Sequence, residues 1–193
     1  MKTFLFVLVF IVLSIYYFVP HEVKNEYLEK AGVEYRFAEG NQDIEEGKVI
    51  TLEFNQTGKA NFSSDIKYGK IIDDLTWGSK TYVNCFDDKS INYFNGKHQL
   101  HRIILEKNTT ISIILIDNTE NKNLSIYAYK VKPAQNILPP DLEYVHACVS
   151  KKSDETDKSI EIKGDTIKSE IVIGVVGSNS LTEGEYELHL EQK

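Results

Sequence analysis

His98–Val131 reads HQLHRIILEKNTTISIILIDNTENKNLSIYAYKV, and this stretch decides the fold class. Ile, Val, Thr and Tyr crowd it. Such side chains lose rotamer freedom in a helix and pack well on a pleated surface. Arg102–Leu105 and Ile111–Ile116 are short apolar runs bounded by turn residues, too short for typical helices. The polar link Glu106–Thr109 between them predicts an antiparallel hairpin. Asp117–Asn123 carries Asx turn chemistry, and a third strand follows to Val131.

Working outward, the same signals recur. Lys48–Phe54 alternates, with Val49, Thr51 and Glu53 on one face and Ile50, Leu52 and Phe54 on the other. Asn55–Gly58 is a turn, and Lys59–Phe62 completes a predicted hairpin. Trp77–Phe94 reads as irregular structure around Cys85. Pro133–Pro140 interrupts the strands, because proline cannot donate to a ladder. Glu143–Val149 resumes as a strand, followed by strands at Ser159–Lys163, Glu170–Val176 and Glu185–Glu191. In the last of these, Tyr186, Leu188 and Leu190 point inward. Many short strands with polar turns indicate an all-β, antiparallel sandwich or barrel.

The amino terminus has another character. Lys2 precedes an apolar run, Phe4–Val19, closed by Pro20 and His21. The run is at the short end for the ~20 residues of a membrane span. A secretory signal has the same charged start and apolar centre, but no small-residue cleavage pair follows here. An uncleaved anchor is therefore preferred over a cleaved signal, and Tyr16 and Tyr17 suit the outer interface. The charge at Lys2 directs residue 21 onward out of the cytoplasm, to the periplasm or the extracellular side. The predicted organisation is a short transmembrane or signal helix over 1–20, a juxtamembrane segment over 21–47 and one sandwich over 48–193.

Net charge is −7 over 193 residues. Phosphate recognition needs clustered Lys and Arg, so nucleic acid is not an expected partner. Cys85 and Cys148 are the two cysteines, and neither belongs to a CxxC pair. In an oxidising space an even count predicts a disulfide. Closing the 63-residue separation (148 minus 85) stabilises by about 4 kcal/mol in the chain-entropy model.

Three segments carry a resemblance. Asn123–Tyr127, Glu170–Gly177 and Gly184–Leu190 resemble the bacterial pre-peptidase C-terminal domain, over roughly Trp77–Lys193. The resemblance implies a jelly-roll sandwich with a binding or accessory role beside secreted enzymes. The Pro133–Pro140 loop is long for that family, and Asn123 stands where an acidic residue is common.

Chemistry-bearing residues are sparse. There is no Gly-x-Ser-x-Gly elbow, no Walker pattern and no dinucleotide glycine pattern. A hydrolase with a site assembled from distant residues ranks last, and the chain is expected not to be an enzyme. His98 and His101, three apart on a strand, fall on opposite faces. His146 and Cys148 share a face and form a weak zinc pair, which ranks below the disulfide. Asp87, Asp88, Asp117, Glu120, Asp154 and Asp157 are loop carboxylates. Asp117, Glu120, Asp154 and Asp157 are candidate calcium ligands, with solvated turn charge as the plainer reading. Trp77, Tyr82, Tyr93 and Phe94 are a candidate platform for sugar, with core packing as the alternative. The expected function is an exported, membrane-tethered, non-catalytic domain for a protein or envelope ligand. A calcium- or carbohydrate-binding module is the alternative, with no resident cofactor otherwise expected.

Overall fold

The computed structural model describes residues 45–79, 86, 90–121, 123–142, 145–150 and 157–193. All belong to one unit, Ala38–Lys193. The strands are β1 (Ile50–Thr51), β2 (Lys59–Asp65), β3 (Lys70–Ile71), β4 (Lys97–Leu105), β5 (Thr110–Asp117), β6 (Leu124–Val131), β7 (Ala147–Val149), β8 (Asp157–Lys163), β9 (Ser169–Gly177) and β10 (Glu185–Gln192). They form two sheets. One has the order β1-β4-β9-β6-β7, with β3 also paired to β4. The other has the order β2-β10-β5-β8. The expected all-β, two-sheet architecture is therefore present.

Alternation decides which side chains fill the space between the sheets. Ile111, Ile113 and Leu115 on β5, Ile160 and Ile162 on β8, and Leu188 and Leu190 on β10 are buried there. Ile103 and Leu105 on β4, Ile126 on β6, and Ile171, Ile173 and Val175 on β9 meet them from the six-stranded sheet. Each fully buried aliphatic side chain contributes roughly 1.5–3 kcal/mol. The alternation read at Lys48–Phe54 survives as burial: Leu52 is buried, Ile50 and Phe54 pack on the core, and Thr51 and Glu53 are exposed.

The predicted hairpins do not form. β4 lies in one sheet, paired with β9, and β5 lies in the other, paired with β10 and β8. The Glu106–Thr109 link is tight, with Thr109 Oγ1 donating to Glu106 O at 2.6 Å, but it carries the chain across the core. The inward faces of β4 and β5 oppose each other instead of lying side by side. Asn55–Gly58 behaves alike. Asn55 Oδ1 accepts from Thr57 N and Lys59 N at 3.0 and 2.9 Å. The strands it joins separate, β1 running parallel to β4 and β2 pairing with β10. A tight turn fixes the change of direction, not the identity of the partner strand. Of the strand expected at Glu143–Val149, Glu143 and Tyr144 lie outside the described residues, and within 145–149 the strand is Ala147–Val149, paired with β6.

A second core lies on the outer face of the six-stranded sheet. Tyr127, Tyr129, Val172 and Val176 project there. They are covered by Leu75, Trp77, Phe86 and Phe94 from one connection and by Leu142 and Val145 from another. The region read as irregular around Trp77 holds a one-turn helix, Thr76–Ser79, and a 3-10 turn, Ile91–Phe94. Phe86 stacks on Phe94 with ring centroids 4.1 Å apart, and Trp77 tilts against both Phe86 and Tyr127.

Gly174 on β9 makes this cover close-fitting. A Cβ there would collide with the Tyr127 ring, which lies across β9. The Tyr127 hydroxyl thereby reaches from β6 over β9 to His98 Nδ1 on β4, at 3.2 Å. Gly174→Ala is expected to cost about 1–3 kcal/mol by overpacking. Urea denaturation checks this; an unchanged midpoint would show that the ring does not need the space.

Candidate functional site

The polar side chains that the strands carry inward make up the chemistry of the described body. His98 is buried in the second core. Its Nε2 lies 2.9 Å from Phe94 O, an acceptor, so Nε2–H donates. Nδ1 then accepts from the Tyr127 hydroxyl. Burial pushes the His98 imidazole down to about 4, partly offset by the Phe94 carbonyl. Three residues on, His101 faces the space between the sheets, as its spacing requires. Its Nε2 is 2.6 Å from the Tyr186 hydroxyl, and its ring meets Phe62 edge-on. Burial alone pushes His101 down to about 3, while burial, with the Asp65 charge, raises the Tyr186 phenol.

Asp117 and Lys158 close the same interior at one end. Each continues an inward row, Asp117 after Leu115 on β5 and Lys158 before Ile160 on β8. Both side chains are fully buried, and Lys158 Nζ stands 3.6 Å from Asp117 Oδ2. Asp117 also holds the following loop. Its Oδ1 accepts from Thr119 N and Thr119 Oγ1 at 3.0 and 2.6 Å, and its Oδ2 accepts from Leu124 N at 2.8 Å. A third polar group lies on the outer face. Arg102 Nε and Glu170 Oε1 are 2.7 Å apart, and Arg102 Nη2 donates to Asn136 Oδ1 at 3.1 Å. Tyr129 donates to Ile137 O at 3.0 Å, tying the proline loop to the sheet.

The predicted site residues are dispersed by this arrangement. Trp77 and Phe94 are 1% and 0% exposed. They are core, so they offer no stacking face; Tyr93 is half-buried, and Tyr82 lies outside the described residues. The sugar platform is corrected at Trp77 and Phe94, whose rings cover the apolar outer face of β6 and β9. Among the calcium candidates, Asp117 is buried and held by protein donors, which corrects its assignment as a loop ligand. Glu120 is exposed in the turn after β5, Asp157 is exposed at the start of β8, and Asp154 lies outside the described residues. Among the described residues no cluster of three His, Cys, Asp or Glu could hold a metal ion. Asp87 and Asp88 also lie outside the described residues.

Cys148 is half-buried on β7 opposite Tyr127, while Cys85 lies outside the described residues. His146, just before β7, accepts at Nδ1 from Lys130 N at 3.1 Å. Burial, with the Lys130 charge, pushes His146 down to about 4. The amino-terminal run Phe4–Val19 and the 1–20 and 21–47 boundaries fall before or at the edge of the described residues. Among the described residues no helix is long and apolar enough to cross a membrane.

Sequence reasoning missed Lys158, the Arg102–Glu170 pair and the His101–Tyr186 bond. The first was detectable. Extending the alternation of Ile160 and Ile162 back by one step puts Lys158 on the apolar face, and the same step on β5 delivers Asp117.

No protein-family model matches the chain, and comparison with curated proteins gives no match. Solved structures do resemble it. Aeromonas hydrophila PliG, a periplasmic lysozyme inhibitor of g-type lysozyme, is 8% identical with a TM-score of 0.45. That similarity covers 76% of this chain and 98% of PliG. The pre-peptidase C-terminal domain of Bacillus anthracis collagenase is 10% identical with a TM-score of 0.39, covering 76% of this chain and 95% of that one. CorA of Methylomicrobium album, a surface-associated copper-binding protein, is 12% identical with a TM-score of 0.35, covering 75% and 98%. The chain thus bears a weak resemblance to the pre-peptidase C-terminal domain.

The interior chemistry generates two predictions. Asp117→Ala removes an acceptor from three donors and leaves the Lys158 charge buried, at an expected cost of about 3–5 kcal/mol. Lys158→Met leaves Asp117 its three donors and is expected to cost less, about 1–3 kcal/mol. Chemical denaturation of both variants checks the order; equal costs would contradict it. The second concerns pH. His98, His101 and His146 titrate lower when folded than the ordinary 6.5, so the folded state favours their neutral forms. Their contribution is fully present above about 6.5 and is lost as pH falls toward about 4. Each fully buried histidine adds a slope of up to about 1.4 kcal/mol per pH unit in that window. Denaturation between pH 4.5 and 7.5 measures it. His101→Phe should flatten the slope, and an unchanged slope would remove His101 from the account.

Proposed function

We propose that this chain is an exported, membrane-tethered, non-catalytic sandwich domain that binds a protein or envelope component. The observation that carries the reading is the use made of its chemistry-bearing side chains. His98, His101, Asp117 and Lys158 are buried and spent on one another or on the framework. A nucleophile–base constellation needs its groups converging where substrate can reach. His146 holds a backbone amide, and His189 is paired at 3.2 Å with Glu187 on an outward strand face. Folding and chemistry do not share these residues here; the groups serve the fold.

The strand order supports the jelly-roll form. Apart from the β3–β4 and β6–β7 pairs, each consecutive strand changes sheet, and the first strand of the four-stranded sheet lies beside the last, β10. Export and tethering rest on Lys2 and Phe4–Val19. An extracytoplasmic destination also suits the proposed Cys85–Cys148 disulfide, and Cys148 is not a free thiol.

A reporter fused after Lys193 is expected to be active only outside the cytoplasm, with the fusion remaining in the membrane fraction. Cytoplasmic activity would reverse the orientation, and release into the soluble fraction would replace the tether by a cleaved signal. Thiol labelling of unreduced, denatured protein should find no free thiol; two would remove the disulfide.

A further inference from the structure

The two sheets differ in what covers them. The outer face of the six-stranded sheet is closed by the second core. The outer face of β2-β10-β5-β8 is bare among the described residues: Lys59, Asn61, Asp157, Ser159, Glu161, Lys163 and Glu185 are all exposed on it. At its centre stand Ile114 and Ile116 on β5, half-buried between neighbours. Register places Ile114 between His189 and Ser159, and Ile116 between Glu187 and Asp157. The surround is acidic, with Asp157 and Glu161 on β8 and Glu185, Glu187 and Glu191 on β10. Lys59 faces Glu191 across the β2 edge at 3.6 Å, leaving Lys163 as the other lysine on these strands' outward rows.

We propose that this open face docks a basic protein, with Ile114 and Ile116 as its apolar centre and the β8 and β10 carboxylates as its rim. The proposal rests on the binding-domain reading and names its surface and partner. The small outward side chains of Asn61, Ser63, Ser112 and Ser159 let another surface approach closely. An apolar centre within a charged rim is the usual anatomy of a protein interface. The rim's sign selects Lys- and Arg-bearing partners and repels nucleic acid and anionic lipid. No Phe, Tyr or Trp projects outward from these four strands, and the His189 imidazole is paired with Glu187, so the face lacks the large rings a sugar stacks on. Among the described residues these carboxylates belong to no cluster that could hold a metal ion.

The test uses the full chain in a non-ionic detergent, with cytochrome c as basic probe and ovalbumin as acidic control. Cytochrome c is expected to bind at low ionic strength, with hydrogen-exchange protection confined to β5, β8 and β10. Glu161→Lys with Glu187→Lys should weaken it at least ~10-fold. Glu53→Lys with Asp73→Lys, the same charge change on exposed residues outside this face, should weaken it less than about twofold. Equal loss from both pairs would mean a non-specific charge effect and overturn the face. Protection elsewhere would also overturn the face while leaving the binding-domain reading standing. Equal binding of ovalbumin would overturn the choice of partner. Self-association through this face, abolished by Ile116→Ser, would make the occupant a second copy and overturn the proposal.

Discussion

β9 is buried along its whole length, and that constraint shapes the rest of the body. Ile171, Ile173 and Val175 point between the sheets, while Val172, Gly174 and Val176 point the other way. A strand apolar on both faces must be covered twice. The four-stranded sheet supplies one cover. Trp77, Phe86, Phe94, Leu142 and Val145 supply the other from the connections before β4 and after β6. The connections before β4 and after β6 are therefore parts of a core. Tyr127 joins the layers, because Gly174 lets its ring cross β9 and its hydroxyl engage His98.

The same burial sets the electrostatics. Inside a medium of low polarisability an imidazole stays neutral and a carboxylate needs donors. His98 and His101 answer with one phenol each, on opposite faces of a single strand. Asp117 answers with Thr119, Leu124 and Lys158, and so ties the β5–β6 loop to β8. Polar groups that would suit catalysis at a cleft here fix register and loop geometry. The outer face of the four-stranded sheet, which nothing described covers, is the surface proposed for recognition.

Much of this was legible in the sequence, and the failures share a cause. Strand positions followed from side-chain type and period: β5, β8 and β10 alternate, and β9 reads as a continuous run because both its faces are covered. The opposite facing of His98 and His101 followed from spacing alone. Pairing did not follow. Glu106–Thr109 and Asn55–Gly58 have genuine turn chemistry, but local bonds are the same whether the chain folds back on its neighbour or crosses to another sheet. Partner choice is decided by β9 and β10, residues far along the chain. Trp77 and Phe94 misled for a related reason, since aromatics beside turn residues look like a surface until the strand they cover is known. Lys158 and Asp117 were readable by extending an alternation one step, and the charge of Asp117 diverted its reading to a solvated turn.

The double covering of β9 is tested most directly by native-state hydrogen exchange. The account predicts that the amides of β9, with those of its neighbours β4 and β6, exchange slowest and only through global unfolding. It predicts that Gly174 and Val176 are as protected as Ile173 and Val175. Exchange of the β9 amides at the rate of the short edge strand β7 would contradict it. So would their release by a local opening of the Trp77–Phe94 segment that leaves the sandwich intact.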